Sequence, residues 1–371
     1  MRILQLGKAY PPVNLGGVET TIQLITEGLH NRQIKCDVLG SNDNFKSIVD
    51  IKEFGQIYRE GLLKKAFSTL FSIGLINRLR KIHKNYNIIH IHHPDPMSAI
   101  ALWLVRPSSK IVLHWHSDIL RQKNLLKIYR PVQSWLLKRS DVIIATSPNY
   151  AQGSADLAPY LNKVVVIPIG IDQSQLRSDG KMVDKIKETY FGKKIVLTIG
   201  RMSYYKGYEY LIEAAGLLKG DVVLLVIGNG ELEEELRSKA RYLIDTGKIV
   251  FLGKVGDLER NCYLQACDLF VLSSILKTEA FAIVQIEAMA LGKPVVSTEI
   301  PGSGVHWVNL NGASGITVPI KDSQRFASAI TEIIENKELY GLLSVGAKNR
   351  FKQKFTQEVM IDSLLDLYAK I

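Results

Sequence analysis

Two acidic residues in the C-terminal half, Glu279 and Glu287, stand eight positions apart in the segment Thr278-Glu279-Ala280-Phe281-Ala282 to Ile286-Glu287-Ala288-Met289. Glu287 falls inside an otherwise apolar helical pattern, Ala282 to Ala290, where a carboxylate costs free energy unless a partner or ligand hydroxyls meet it. Glu279 precedes that helix, beside the unpaired first-turn amides of Ala282 and Ile283. It is either an acid at a helix start or a ligand contact. Upstream, Gly200-Arg201-Met202-Ser203-Tyr204-Tyr205-Lys206-Gly207 follows an apolar strand directly. Arg201 and Lys206 therefore share one strand-to-helix loop, as a solvated surface pair or as a phosphate clamp in which Arg binds bidentately and Lys is a point charge.

The N-terminal half offers a second set. Gly16 and Gly17 lie between a strand end and a helix start, which is either a plain turn or a place where amides and the helix dipole receive an anion. The dinucleotide pattern GxGxxG is absent. His90, His92 and His93 flank Pro94, and His114 and His116 border Trp115 with Asp118 close by. No HExxH or His-x-x-x-His spacing accompanies them, so they read as hydrogen-bonding groups lining a cleft rather than metal ligands. His116, at the end of its strand, is the one expected to touch substrate.

The elements that must position these groups alternate regularly. In the first half, strand patterns at Arg2–Gly7, Lys35–Leu39, Ile88–His92, Lys110–His114, Val142–Thr146 and Val164–Ile167 are separated by helical ones at Glu19–Arg32, Leu62–Asn85, Met97–Leu104 and Tyr129–Lys138. The second half has strands at Lys194–Ile199, Val222–Ile227, Ile249–Leu252, Leu269–Leu272, Pro294–Thr298 and Gly315–Val318. Helices are expected between them at Gly207–Leu218, Gly230–Thr246, Glu259–Ala266, Ala282–Ala290 and Ser323–Asn336. Such alternation implies α/β architecture with two doubly wound parallel sheets, and hence two domains joined near Pro168–Lys181. Ligands of such sheets bind at the carboxyl ends of the strands.

With 371 residues, 46% of them hydrophobic, the chain is long enough for two cores. The three cysteines, Cys36, Cys262 and Cys267, lack metal or redox spacing and read as free thiols in a reducing cytosol. The opening residues form a strand rather than a signal sequence, and no apolar run approaches the ~20 residues that span a bilayer. A net charge of +11 favours an anionic partner. Basic residues crowd Arg59, Lys64, Lys65, Arg78, Arg80, Lys81 and Lys84, and again Arg121, Lys123, Lys127, Arg130, Lys138 and Arg139, interleaved with apolar ones such as Leu62, Leu63, Phe67 and Leu125. These are either helices with a solvated basic face or surfaces that dock on an anionic membrane. No nucleic-acid-binding module accompanies the charge.

Together, Glu279-x7-Glu287, the Gly200-Arg201 to Lys206-Gly207 loop, Gly16-Gly17-x-Glu19 and Trp115-His116-Ser117-Asp118 resemble glycosyltransferase family 4, over essentially the whole chain and in the family's order. The resemblance implies a retaining enzyme of the GT-B fold, with two Rossmann-like domains facing across a cleft. Residues 1–170 would form the acceptor domain, rejoined by a C-terminal helix at 356–371, and residues 171–355 the nucleotide-sugar domain. It further implies that Glu287 binds the ribose and Glu279 the donor sugar, with Arg201 and Lys206 on the leaving diphosphate. Backbone amides of Phe281, Ala282 and Ile283 would also contact the donor, and His116 would sit beside its sugar. Gly16 and Gly17 would approach the diphosphate, Glu19 and Asp118 would lie toward the acceptor, and Lys254 and Val255 would border the base. The family often has Gly-Phe-Gly where this chain has Ala280-Phe281-Ala282. No Asp-x-Asp motif calls for a metal, so no cofactor is expected and front-face displacement with retention is the mechanism implied. The nearest likeness is to mannosyltransferases of O-antigen or capsule synthesis. GDP-mannose is thus the expected donor and a lipid-linked or glycan acceptor the partner, at the inner face of the cytoplasmic membrane. A UDP-sugar enzyme of the same fold, a sugar-nucleotide epimerase or phosphorylase, and a non-catalytic nucleotide-sugar or nucleic-acid binding protein are the alternatives.

Overall fold

The computed structural model describes residues 1–13, 16–66, 69–120 and 123–371. Its contacts divide the chain into two units, one formed by Met1–Gly170 with Gln357–Ile371, the other by Ile171–Thr356.

The first unit holds strands β1 (Ile3–Leu6), β2 (Cys36–Ser41), β3 (Ile48–Lys52), β4 (Gly55–Glu60), β5 (Lys64–Ala66), β6 (Thr69–Phe71), β7 (Ile88–His93), β8 (Lys110–Trp115), β9 (Val142–Ala145) and β10 (Val164–Val166). Eight of these make one sheet in the order β10-β9-β8-β7-β1-β2-β4-β3, and β5 and β6 form a separate ribbon. Every pairing in the large sheet is parallel except β3 with β4. Strands β1, β2 and β7 are buried along their whole length, as expected for a sheet covered on both faces. Chain order reverses between β1 and β7, so the carboxyl ends of those strands mark a switch point where ligands of such sheets bind.

The second unit contains β11 (Lys194–Ile199), β12 (Val222–Ile227), β13 (Ile249–Gly253), β14 (Leu269–Leu272), β15 (Val295–Glu299) and β16 (Gly315–Pro319), all parallel, in the order β13-β12-β11-β14-β15-β16. Its switch point lies between β11 and β14. The core there packs Val196, Leu224, Val226 and Val271 against helix residues such as Leu211, Phe326 and Ile330.

The last helix, Gln357–Lys370, packs on the first unit through Met360, Ile361, Leu364, Leu367 and Tyr368. The Gln357 amide donates to Leu24 O at 2.8 Å, and Arg32 pairs with Asp362 at 2.6 Å. Gly28 makes this approach possible: a Cβ there would lie 2.5 Å from Ile361 Cγ1.

Two expectations about elements are corrected. A single helix over Leu62–Asn85 does not form. Its first part is the β5–β6 ribbon, and the helix runs only over Ile73–Ile82, started by Ser72, whose hydroxyl accepts from the Leu75 amide at 3.3 Å. Leu70 is drawn into a cluster with Ala9 and Val13, a tertiary contact that outweighs the local helical spacing. Gly230–Thr246 is two helices, Glu233–Lys239 and Arg241–Asp245, broken at Ala240. The β3–β4 hairpin and the helices Gly180–Thr189 and Lys337–Lys354 have no counterpart among the expected elements. Phe67 and Arg121 of the basic segments lie outside the described residues.

Candidate active site

In the second unit, β11 delivers Gly200 and Arg201 to the switch point, and β14 delivers Ser273 and Ser274. Between them the chain makes a single 3-10 turn, Tyr204–Lys206, closed by Gly207 in the left-handed region (φ 62°). A side chain at Gly207 would strike Ser273 O, 2.4 Å from the ideal Cβ, so only glycine lets the turn lie this close to β14. The turn is fastened by the Ser273 hydroxyl, which donates to Lys206 O at 2.9 Å.

Lys206 consequently points inward and forms an ion pair with Glu279, each side chain only 11% exposed. The Ser274 hydroxyl donates to the same Glu279 oxygen at 2.9 Å. Burial pulls the Lys206 ammonium toward neutrality, but the Glu279 carboxylate more than offsets this and holds its pKa above the ordinary value. Main-chain bonds lock the segment around Glu279: the Ser303 hydroxyl donates to Glu279 O, and the Gly304 amide to Ala280 O at 2.9 Å. Ala282 then starts the helix Ile283–Ala290 from the left-handed region (φ 63°, ψ 80°), and no side chain caps that helix. The first-turn amides, including that of Ile283, are thus left to an anion or to polar ligand atoms. Phe281 turns away from them into the core, edge-on to Phe355 at 5.9 Å.

Glu287 sits further along this helix, 12% exposed at its side chain, and pairs with Arg260 at 3.1 Å from the helix Asp257–Ala266. Its second oxygen, Oε2, is buried without a hydrogen-bond partner, as is Arg260 Nε. Burial raises the Glu287 pKa, and Arg260 opposes the rise. A half-satisfied carboxylate on an apolar helix has an acceptor to spare for a ligand hydroxyl. Arg201, by contrast, is 72% exposed and pairs at 3.2 Å with Glu231. Lys254 is exposed and Val255 half-buried, beyond the end of β13, two strands from the β11–β14 switch point.

In the first unit, Gly16 is the extended residue before the helix Gly17–Asn31, which has no side-chain cap. A Cβ on Gly16 would come within 2.8 Å of Glu19 Oε2, so the buried Glu19 carboxylate occupies the space beside that helix start. Asp118 is also buried; its Oδ1 accepts from Trp115 Nε1 at 2.9 Å and from the Ser154 hydroxyl at 2.6 Å. Its carboxylate therefore braces the turn after β8.

Four histidines, His90 and His92 on β7 with His114 on β8 and His116 just past its end, form a two-by-two array. His90 Nε2 meets His114 Nδ1 at 3.3 Å, and His92 Nδ1 meets His116 Nε2 at 2.9 Å. His90 is stacked on His92 at 4.8 Å and His114 on His116 at 4.1 Å. His90 Nδ1 meets the Tyr368 hydroxyl at 2.6 Å, and His92 Nε2 meets Gln5 Oε1 at 2.7 Å. Burial drives His90, His93 and His116 to about 3, and His92 and His114 well below their usual value. At neutral pH all five rings are uncharged. Single nitrogens of His90, His92 and His114 come within 4.8 Å of one another. Near-parallel stacked rings, however, aim their lone pairs along parallel directions, whereas a tetrahedral ion needs them to converge.

Lys206 and Glu279 are brought into direct contact, Glu287 is placed on the helix that follows Glu279, and His116 stands at a strand end in the other unit. Sequence reasoning missed Ser274, Ser303, Arg260 and Gln5. Ser274 alone had a local signal, lying just past an apolar strand end; Arg260 and Gln5 reach their partners only through folding.

Models of two families match the chain: "Glycosyltransferase Family 4" over residues 15–175 and "Glycosyl transferases group 1" over residues 183–350. Among curated proteins, the O-antigen chain mannosyltransferase C of Escherichia coli is 35% identical, covering 100% of this chain and 99% of its own. The D-rhamnosyltransferase WbpZ of Pseudomonas aeruginosa is 32% identical over 96% of this chain and 92% of its own. Of solved structures, Anabaena HepE in complex with UDP-glucose superposes with a TM-score of 0.79 at 20% identity, with 100% of both chains covered.

Proposed function

The chain belongs to glycosyltransferase family 4 and has its two-Rossmann GT-B fold, and on that premise we propose that it moves mannose from GDP-mannose to a growing lipid-linked glycan of the cell surface. The likeness to an O-antigen mannosyltransferase over the full length of both chains supports the sugar and the pathway class. The observation that carries the chemistry is the buried Lys206–Glu279 pair at the β11–β14 switch point, beside an uncapped helix start.

In this reading, the diphosphate enters against the helix amides and draws Lys206 partly away from Glu279. Glu279, released from one partner, takes a hydroxyl of the donor sugar. Glu287 Oε2, with its vacant acceptor, takes a ribose hydroxyl, and Arg201 swings from Glu231 onto the phosphates. His116 borders the donor sugar. Leaving-group charge is met by Lys206, Arg201 and the amides, so the reaction proceeds without a divalent metal. With the β-phosphate oxygen as the base for the acceptor hydroxyl, displacement occurs on one face and configuration is retained. Arg201→Ala should lower turnover of GDP-mannose about a hundredfold. Wild-type turnover by this variant, or EDTA-sensitive activity restored by Mg²⁺, contradicts the scheme. Tighter binding of UDP-glucose than of GDP-mannose by calorimetry would reassign the donor.

The acceptor is lipid-linked in this proposal, and the protein works on an anionic membrane at its cytoplasmic face. No helix among the described residues is long and apolar enough to cross a membrane. Four of the basic residues singled out in the sequence are paired internally: Arg59 with Asp50 at 2.8 Å, Arg78 with Glu60 at 2.7 Å, Arg139 with Asp141 at 3.0 Å and Arg130 with Asp156 at 3.6 Å. Support for docking comes instead from the β3 edge and the adjoining ribbon. There Phe45, Ile51, Leu63 and Ile73 are 82%, 79%, 71% and 60% exposed, among the exposed lysines Lys46, Lys52, Lys64 and Lys65. The Leu62 amide donates to Asn44 O at 2.6 Å, which keeps the two loops adjacent. Sedimentation with phosphatidylglycerol vesicles at low salt should be lost on changing these four lysines to Glu; failure of the wild type to sediment rejects membrane docking.

A further inference from the structure

We propose that Gln5, acting through His92, holds His116 in the tautomer that carries its proton on Nε2 and presents Nδ1 as a bare acceptor. The protons along this chain of buried groups can be counted one by one. Each ring in the array is neutral, so each carries a single N–H. Gln5, in the middle of β1, offers its carbonyl oxygen Oε1 to His92 Nε2 at 2.7 Å. That oxygen has no proton to give, so His92 Nε2 is the donor and His92 Nδ1 is bare. His92 Nδ1 then accepts from His116 Nε2, at 2.9 Å. The proton of His116 is thereby committed inward. Its Nδ1, which has no protein hydrogen bond among the described residues, is left as a lone pair on a residue that is 7% exposed at the strand end.

The neighbouring pair has no such direction. His90 Nδ1 meets the Tyr368 hydroxyl at 2.6 Å, and a hydroxyl both donates and accepts. His90 and His114 can therefore shift their protons together, and His114 Nε2 is buried without a partner in either arrangement. Of the two hydrogen-bonded pairs, the one ending in a carbonyl is the one ending in His116. The other ring nitrogen's hydrogen bond sets a histidine's tautomer, and here that setting is made two residues away from the ring at the strand end. Gln5 and His92 are positioning residues in this scheme. The consequence for turnover rests on the proposal that His116 borders the donor sugar, where a bare Nδ1 receives a sugar hydroxyl and a protonated one does not.

The test uses the full chain labelled with ¹⁵N-histidine and a long-range ¹H–¹⁵N correlation spectrum, with His116 assigned by its loss in His116→Ala. The wild type should show His116 protonated on Nε2 alone. Gln5→Met, which keeps the length and removes the carbonyl, should give both tautomers at His116. In the same variant, kcat for release of GDP from GDP-mannose should fall about tenfold, below the hundredfold at which general acid–base contributions begin, because only part of the population is misprotonated. KM should stay within about twofold for the same reason. A wild-type His116 protonated on Nδ1, or a Gln5→Met spectrum identical to wild type, overturns the proposal. The wild-type spectrum decides the tautomer even if Gln5→Met does not fold. Full turnover by His116→Ala would remove His116 from the donor site while leaving the tautomer assignment standing, so the two readings fail separately.

Discussion

In the first unit the polar centre is a set of stacked, uncharged imidazoles; in the second it is a set of ion pairs, Lys206–Glu279 and Arg260–Glu287, at the end of a similar parallel sheet. Similar sheets thus bury polar groups by different means. Neutral rings pay no charge-desolvation penalty and need only hydrogen bonds, half of which they make to one another. Buried ions need compensation of opposite sign, and a partner removed from such a pair leaves an uncompensated charge. The second arrangement suits a site that receives an anion, because an incoming phosphate can substitute for the Glu279 carboxylate opposite Lys206.

Acid should break this comparison most forcefully. The buried histidines have folded-state pKa values near 3 for His90, His93 and His116, against about 6.5 unfolded. Between those values the unfolded chain binds more protons, so stability falls as pH falls below about 6.5 and levels off near 3. At pH 5.5 each such ring costs on the order of 1 kcal/mol, so acid removes a few kcal/mol from the first unit. Glu287 acts in the opposite sense. Its raised pKa means that stability lost as pH climbs through the ordinary carboxylate range is regained in acid. The first unit should therefore unfold in urea before the second at pH 5.5. Trp307→Phe leaves tryptophans only in the first unit, and its fluorescence transition should move to lower urea than the far-UV transition. Coincident transitions at every pH would contradict the difference.

Lys206→Ala should be next in size. It strands Glu279 in a nearly buried position, at a cost of about 3 kcal/mol in denaturant unfolding, and lowers nucleotide-sugar turnover by about two to three orders of magnitude. The double variant Lys206→Met/Glu279→Leu sharpens the point: stability should return while turnover does not. Recovery of both would mean the pair is a packing device only.

Gly28→Val tests the C-terminal helix. With Ile361 2.5 Å from the ideal Cβ, the helix must shift, costing about 1 to 3 kcal/mol in the first unit and leaving the second unit's transition in place. Ala282→Gly should have the smallest effect. It relieves a left-handed alanine worth about 1 kcal/mol, offset in part by the greater freedom of glycine in the unfolded chain. A net gain of about 0.5 kcal/mol in thermal unfolding is expected; a loss would mean that the methyl packs usefully at the helix start.

Much of the frame was readable because buried parallel strands are written as short β-branched runs such as Lys194–Ile199 and Val222–Ile227, whose local chemistry leaves little else for them to be. The β3–β4 hairpin was not, because its strand Ile48–Lys52 is mostly exposed and mixes apolar with charged residues. The Leu62–Asn85 segment misled because helical spacing and the alternation of a short ribbon coincide over so few residues. In the candidate site, the spacing of Glu279 and Glu287 marked both residues, yet their partners come from elsewhere: Lys206 and Arg260 arrive from other loops and helices of the same unit. Likewise, the clustering of His90, His92, His114 and His116 was plain, but which nitrogen meets which was not.

By itself, the amino-acid sequence determined the alternation of strands and helices, the placing of glycines and cations at strand ends, and the family those features share. These rest on interactions between residues near in the chain, which local propensity and periodicity encode. The tertiary structure alone decided that Glu279 is buried against Lys206, that Glu287 keeps one oxygen unpaired, and that Gln5 meets His92 from the neighbouring strand. Each of those depends on groups separated by tens of residues, and only the register of paired strands and the packing of helices brings such groups within hydrogen-bonding distance.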